Sequence, residues 1–136
     1  MRIVIDTNVL VAGLRSRRGK SFRLLAALGS GLFQTVVTVS LVIEYEAVLR
    51  RQIHEHNPAD VEAFLDYLIS ASSRPRVSFR LHPLLPDPAD ELVLEAAIAG
   101  DCDAIVTFNT ADFVGVEPFG IRVLKPVDIL RETEIF

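Results

Sequence analysis

The sequence predicts an α/β domain: a central, mainly parallel sheet flanked by helices on both faces. Short apolar runs rich in β-branched residues alternate along the chain with amphipathic helical segments, as βαβ connections require. The 136 residues are 50% hydrophobic and 24% charged, which suits one sizeable core and leaves too little chain for two. No internal repeat or low-complexity linker interrupts the pattern, so residues 1–136 read as a single domain.

Residues 2–5 (RIVI) form the first strand, a continuous apolar run that stops at Asp6 as a buried parallel strand does. Helix follows from Thr7, is broken by the polar loop between Arg15 and Lys20, resumes over 21–28 and stops at Gly29 and Gly31. Residues 33–39 are the second strand. Residues 41–51 read as helix, with Leu41, Tyr45, Val48 and Leu49 on one stripe. Pro58 opens another helix whose apolar face is Val61, Phe64, Leu65, Leu68 and Ile69. Residues 76–81 make a weak third strand, in which alternating Val77 and Phe79 suit a sheet edge. Asp87 and Pro88 open a helix that runs to Ala99 and ends at Gly100. Residues 103–107 and 121–124 are the fourth and fifth strands, and Pro126 leads a final helix through Leu130.

The net charge of −4 argues against a broad basic face that grips nucleic acid, although a local basic patch can still hold phosphates. The lone Cys102 rules out an intrachain disulfide and fits a reducing compartment. Asp6 and Asn8 interrupt the apolar start, which argues against a secretory leader, and no run reaches the roughly 20 apolar residues of a membrane span. The expectation is a soluble, cytoplasmic protein with no membrane partner.

In open parallel sheets, ligands bind beyond the carboxyl ends of the strands. Asp6 ends strand one, Glu44 lies about a turn inside the helix after strand two, and Asp90 lies in the first turn of the helix before strand four. Asn109 and Asp112 directly follow strand four. All these places project towards one end of a parallel sheet. Carboxylates gathered there repel one another and favour protonation unless a cation offsets their charge. All-oxygen ligation selects Mg²⁺ or Mn²⁺ over zinc, and His54, His56 and His82 lie away from these strand ends. Such an ion activates water, stabilises charge on a phosphoryl oxygen and orients the scissile bond, all of which phosphodiester hydrolysis needs.

Each residue also has a plainer reading. Asp6 suits a helix cap, with Thr7 or Asn8 sharing that role, or Asn8 holding the Asp6 carboxylate in place. Glu44 suits a solvated helix position. Asp87, Pro88 and Asp90 make a good helix start without any chemistry, and Asn109 and Asp112 suit a turn. The basic loop with Arg15, Arg17, Arg18 and Lys20 suits either phosphate contacts or a solvated loop. No row of exposed aromatics is evident: the eight Phe and two Tyr fall mostly on apolar faces.

Taken together, these segments resemble the PIN-domain ribonucleases, specifically the VapC-like toxins of toxin–antitoxin pairs. The resemblance rests on four blocks in order over nearly the whole chain. They are IVIDTNVLVAGL, with Asp6 and Asn8 in a DTN signature; TVSLVIEYEAVLRR, with Glu44; LPDPADELVLEAAIAGDCDAIVTFNTADF, with Asp90 as the third acid; and GIRVLKPVDIL. It implies strand order 3-2-1-4-5, metal ligation by Asp6, Glu44 and Asp90, Mg²⁺ or Mn²⁺ dependence and endoribonuclease activity, and in that reading Asn109 and Asp112 hold ligand waters or contribute ligation as further catalytic residues. It also implies a homodimer and a cognate antitoxin that blocks the active site. One departure stands out: many relatives carry aspartate where this chain has Asn109. Asparagine still offers a neutral oxygen, and Asp112 offers charge, but a second ion should be held less well. That departure motivates an alternative, a catalytically weak RNA-binding or protein-interaction module on the same fold. A Mg²⁺-dependent phosphatase ranks lower, because Asp6-Thr7-Asn8 lacks the second aspartate of a DxD motif.

Overall fold

The computed structural model describes residues 1–54, 58–79 and 83–135. The chain runs β1 (Arg2–Ile5), α1 (Thr7–Arg15), α2 (Lys20–Ala26), β2 (Gln34–Thr35), α3 (Val39–Gln52), α4 (Pro58–Ala71), α5 (Pro88–Ala99), β3 (Ala104–Val106), β4 (Arg122–Leu124) and α6 (Pro126–Glu132). Two short 3-10 turns, Thr110–Phe113 and Glu117–Phe119, lie between β3 and β4.

The strands form one all-parallel sheet in the order β2-β1-β3-β4. In β1, Ile3, Val4 and Ile5 are buried in succession, and so are Ala104, Ile105 and Val106 in β3. Burial without alternation means both faces of the central strands are covered, which is why they read as continuous apolar runs. Helix α5 packs on β1 and β3, α3 packs on α1, α4 and α5, and α2 bridges α1 and α6. Each fully buried Leu, Ile or Phe of this core contributes roughly 1.5–3 kcal/mol relative to exposure.

Four of the five expected strands form and take their expected order, and at the place of the third the sheet edge carries a single bridge. Ser73 pairs in parallel with Val36, donating to the Thr35 carbonyl at 2.9 Å and accepting from Val37 N–H at 3.0 Å. No strand forms over 76–79, and the remainder of the predicted 76–81 segment lies outside the described residues. Pro75 explains the early stop: it has no N–H to continue the ladder, and it restricts Arg74 before it. The short edge is secured by side chains instead. The Thr35 and Ser72 hydroxyls share a 2.6 Å hydrogen bond, and Gln34 Nε2 donates to the Ala71 carbonyl at 3.0 Å.

The second predicted strand is also trimmed. Residues 38 and 39 belong to the next helix, because the Thr38 hydroxyl accepts from Leu41 N–H at 3.3 Å and caps α3. Val39, expected in a strand, therefore stands 80% exposed in the first turn of a helix.

Candidate active site

β1 and β3 are adjacent and parallel, with Ile5 opposite Val106. Their next residues, Asp6 and Thr107, therefore emerge side by side at the same carboxyl end. Asp6 N–H donates to the Val106 carbonyl at 2.8 Å, extending the ladder by one step. The Asp6 side chain is then held by both oxygens. Oδ1 accepts from Thr7 N–H at 2.8 Å, and Oδ2 accepts from the Thr107 hydroxyl at 2.7 Å. Asp6 is thus the helix-capping residue the sequence allowed, but Thr107 ties the same carboxylate across the sheet.

Asp90 reaches this end from α5. Asp87 caps that helix, accepting from Ala89 N–H at 2.9 Å, and Pro88 occupies its first turn. Asp90 sits in the same turn and is buried. Its carboxyl is pushed up to about 6, first by burial and then by the negative charges of Asp6, Asp87, Asp112 and Glu91. The Asp6 carboxyl is raised as well. Burial is the main cause and Asp112 and Asp87 add to it, while the Thr107 and Thr7 hydrogen bonds pull the other way. Asp6, Asp90 and Asp112 therefore feel one another electrostatically, and Asp87 joins them.

Glu44 comes from α3 and shares with Asp6 an open cleft of about 630 Å³, also lined by Thr7, Asn8, Arg15, Gln52 and Ala89. Next to Glu44, the buried Tyr45 donates its phenol hydroxyl to the Ile5 carbonyl, immediately before Asp6. Burial and the nearby Asp6 raise the phenol well above its ordinary value, so it stays a neutral donor. This bond ties α3 to the end of β1. Tyr45→Phe leaves the Ile5 carbonyl without that donor, and a loss of about 1–3 kcal/mol is expected in urea unfolding.

Asn8 lines the cleft, and its buried Oδ1 has no hydrogen-bond partner among the described residues. Asn109 is exposed; its N–H donates to the Thr107 hydroxyl at 3.0 Å, and its carbonyl accepts from Asp112 N–H at 3.0 Å. The turn reading of Asn109 and Asp112 therefore holds for the backbone, and it is the turn that carries Asp112 to the cluster. Of the basic loop, only Arg15 lines the cleft, where its guanidinium donates to the Gln52 carbonyl at 2.7 Å and so caps the end of α3. Arg17, Arg18 and Lys20 are exposed beyond it. His54 is exposed just past α3, and His56 and His82 lie outside the described residues.

The donors fit a hard divalent cation in kind. The Asp6 and Asp90 carboxyls, raised first by burial and then by neighbouring negative charge, form with the unpartnered amide oxygen of Asn8 an oxygen set that lacks a positive charge. Among the described residues, however, no three acidic, histidine or cysteine side chains stand close enough as placed to enclose an ion. The cluster is assembled electrostatically but is not drawn in around a common point.

Thr107 carries no mark of function in the sequence beyond being a hydroxyl that closes a buried apolar strand; the structure leaves it fully buried with Asp6 as its partner. Thr107→Val keeps the shape and removes the donor. Activity should fall by roughly 10–100-fold, as for an outer partner of a metal ligand. Because this hydrogen bond lowers the Asp6 carboxyl, its loss should also move the acidic limb of the pH–activity profile to higher pH.

A family model of the PIN domain matches residues 2–111, and the chain belongs to that family. PIN domains are generally metal-dependent nucleases. Among solved structures, the chain is similar to a chain of VapBC2 from Rickettsia felis, crystallised with a DNA fragment from its promoter. The sequences are 13% identical, the TM-score is 0.57, and the match covers 92% of this chain and 98% of that one. At this identity the likeness concerns the fold. No curated protein sequence matches the chain. Among the described residues, no helix is long and apolar enough to cross a membrane.

Proposed function

We propose that this PIN-domain protein is a Mg²⁺- or Mn²⁺-dependent endoribonuclease that acts in the cytoplasm as the toxin of a toxin–antitoxin pair. The observation that carries the proposal is that Asp6, at the end of β1, lines a cleft with Glu44 and feels the charge of Asp112, while Asp90 feels the charges of Asp6 and Asp112. Asp6, Glu44 and Asp90 would hold the ion, with Asp112 and the amide oxygen of Asn109 supporting it. When bound, such an ion would supply a more acidic water and charge stabilisation at the phosphoryl oxygen. The chain's own residues do the rest. Thr107 and Thr7 N–H fix the Asp6 carboxylate, Tyr45 sets α3 against β1, and Asn8 with the Arg15 loop borders the path of the phosphate backbone.

RNA as substrate, the homodimer and the antitoxin partner are supported by the resemblance in the motif blocks. The structural likeness to a chain of a VapBC complex agrees with this reading. The test is cleavage of end-labelled RNA by the purified protein after EDTA treatment and re-addition of Mg²⁺, Mn²⁺ or neither. Cleavage restored only by the ions supports the proposal; metal-independent cleavage or none at all defeats it.

A second reading has an observation of its own. Asn109 stands where many relatives carry an acid, and the described acids do not close on a common point. Both favour a catalytically weak module that binds RNA or protein. Calorimetric titration with Mn²⁺ separates the two, since a nuclease binds the ion and the weak module does not.

A further inference from the structure

Phe108 is 43% exposed, although it follows directly on the fully buried Val106 and Thr107. Both of its neighbours are fixed to the candidate site. The Thr107 hydroxyl donates to Asp6 Oδ2, and Asn109 N–H donates back to that hydroxyl, closing a tight turn around Phe108. Asn109 in turn holds Asp112, whose charge reaches Asp6 and Asp90. The ring is therefore presented to solvent on a braced backbone, one residue from the group that holds the central carboxylate.

Among the described residues, the other phenylalanine exposed to a comparable degree, Phe119, lies at the opposite end of the sheet. It borders a shallow depression with Asp101 and Asp103, beside the amino-terminal ends of β3 and β4. Phe113, five residues beyond Phe108, is fully buried and anchors the intervening turn. An isolated exposed apolar residue is ordinary on a protein surface. An aromatic ring on a hydrogen-bonded turn that also holds Thr107, the partner of Asp6, offers more, because every base has a π-face and stacking needs no sequence match.

We propose that Phe108 is a substrate-positioning residue on which an unpaired base of single-stranded RNA stacks next to the scissile phosphate. This rests on the nuclease reading and adds a positioning residue to it: a base can reach the ring only where it is not already paired and stacked in a helix, so the Phe108 contact is made with unpaired bases.

The chain has no tryptophan, so Phe108→Trp places a sole indole at this position. Binding is measured on the full chain by fluorescence anisotropy of a labelled single-stranded oligoribonucleotide, with Ca²⁺ in place of the catalytic ion. Phe108→Ala and Phe108→Leu are expected to weaken binding by roughly 5- to 150-fold, and to raise KM in Mn²⁺ assays with kcat little changed. Phe108→Trp should bind like the wild type, with indole emission quenched by the single strand and not by the same sequence in a duplex. The proposal is overturned if Phe108→Leu binds like the wild type, if saturating RNA leaves the indole emission unchanged, or if the emission follows protein concentration alone, which marks a self-association surface. A wild type that neither binds nor cleaves RNA removes this inference and the nuclease reading together. A wild type that cleaves RNA while Phe108→Ala matches it removes only this inference.

Discussion

Asp6→Asn is expected to abolish RNA cleavage while the protein stays folded. The reduction should exceed the roughly 10–100-fold typical of losing an outer partner of a metal ligand, because here the central charged ligand itself is lost. The fold should survive for reasons visible around the side chain. The asparagine oxygen can still accept from Thr7 N–H, and its amide can donate to the Thr107 hydroxyl, which rotates to accept. The substitution also takes a negative charge out of a cluster that includes Asp90, Asp112 and Asp87, so any stability change should be small or favourable. Circular dichroism melts checks the fold and end-labelled RNA checks the activity. A purified variant that cleaves at the wild-type rate would take Asp6 out of the site.

Much of this architecture is legible in the sequence because parallel strands buried on both faces leave unmistakable apolar runs. RIVI is the first strand as the sequence predicts, the strand over 104–106 falls within the predicted 103–107, and each helix opened by Pro58, Pro88 or Pro126 begins where that proline predicts. The misreadings have local causes. Alternating Val77 and Phe79 suggests a strand, but a ladder needs donors, and Pro75 ends it at Ser73 before the alternation begins. Val37 and Val39 look like strand residues, yet the Thr38 hydroxyl caps a helix between them.

The site divides along a similar line. Residues whose type announces chemistry, Asp6, Glu44 and Asp90, can be singled out by where they fall relative to strand ends. Residues that work through geometry cannot. Thr107 matters because β1 and β3 are neighbours with Ile5 opposite Val106, and that register exists only once the sheet is paired. Tyr45 reads as one more member of an apolar stripe, because its buried ring is what the periodicity detects. Its hydroxyl finds the Ile5 carbonyl only through the packing of α3 against the sheet. Nothing in the sequence sets Phe108 apart from the other aromatics; it is the turn that follows Thr107 that brings it out to solvent.

Asp90 gives the second large effect, and its sign is opposite to that of a salt-bridged carboxylate. Its carboxyl stands at about 6 in the folded protein against an ordinary value of 3.8. Between those two values the folded chain retains a proton that the unfolded chain has released, so stability falls as pH rises through the window of about 4 to 6. Above it, the metal-free protein bears the full cost of an ionised Asp90 that is buried and lies near the charges of Asp6, Asp87 and Asp112. Asp90→Asn should therefore be more stable than the wild type at pH 7 without metal, with the difference shrinking to little below about pH 4. A smaller slope should remain in the variant, since Asp6 is raised in the same direction. If these carboxyls hold a divalent ion, Mn²⁺ at 100 times its Kd should stabilise the wild type by about 2.7 kcal/mol at pH 7 and the variant by much less. That stabilisation should fade towards pH 5, as protons compete for the ligands. Thermal melts from about pH 3 to pH 7, in EDTA and in Mn²⁺, measure all of this. If wild type and variant show the same pH slope and the same response to Mn²⁺, Asp90 is a helix-start residue and nothing more.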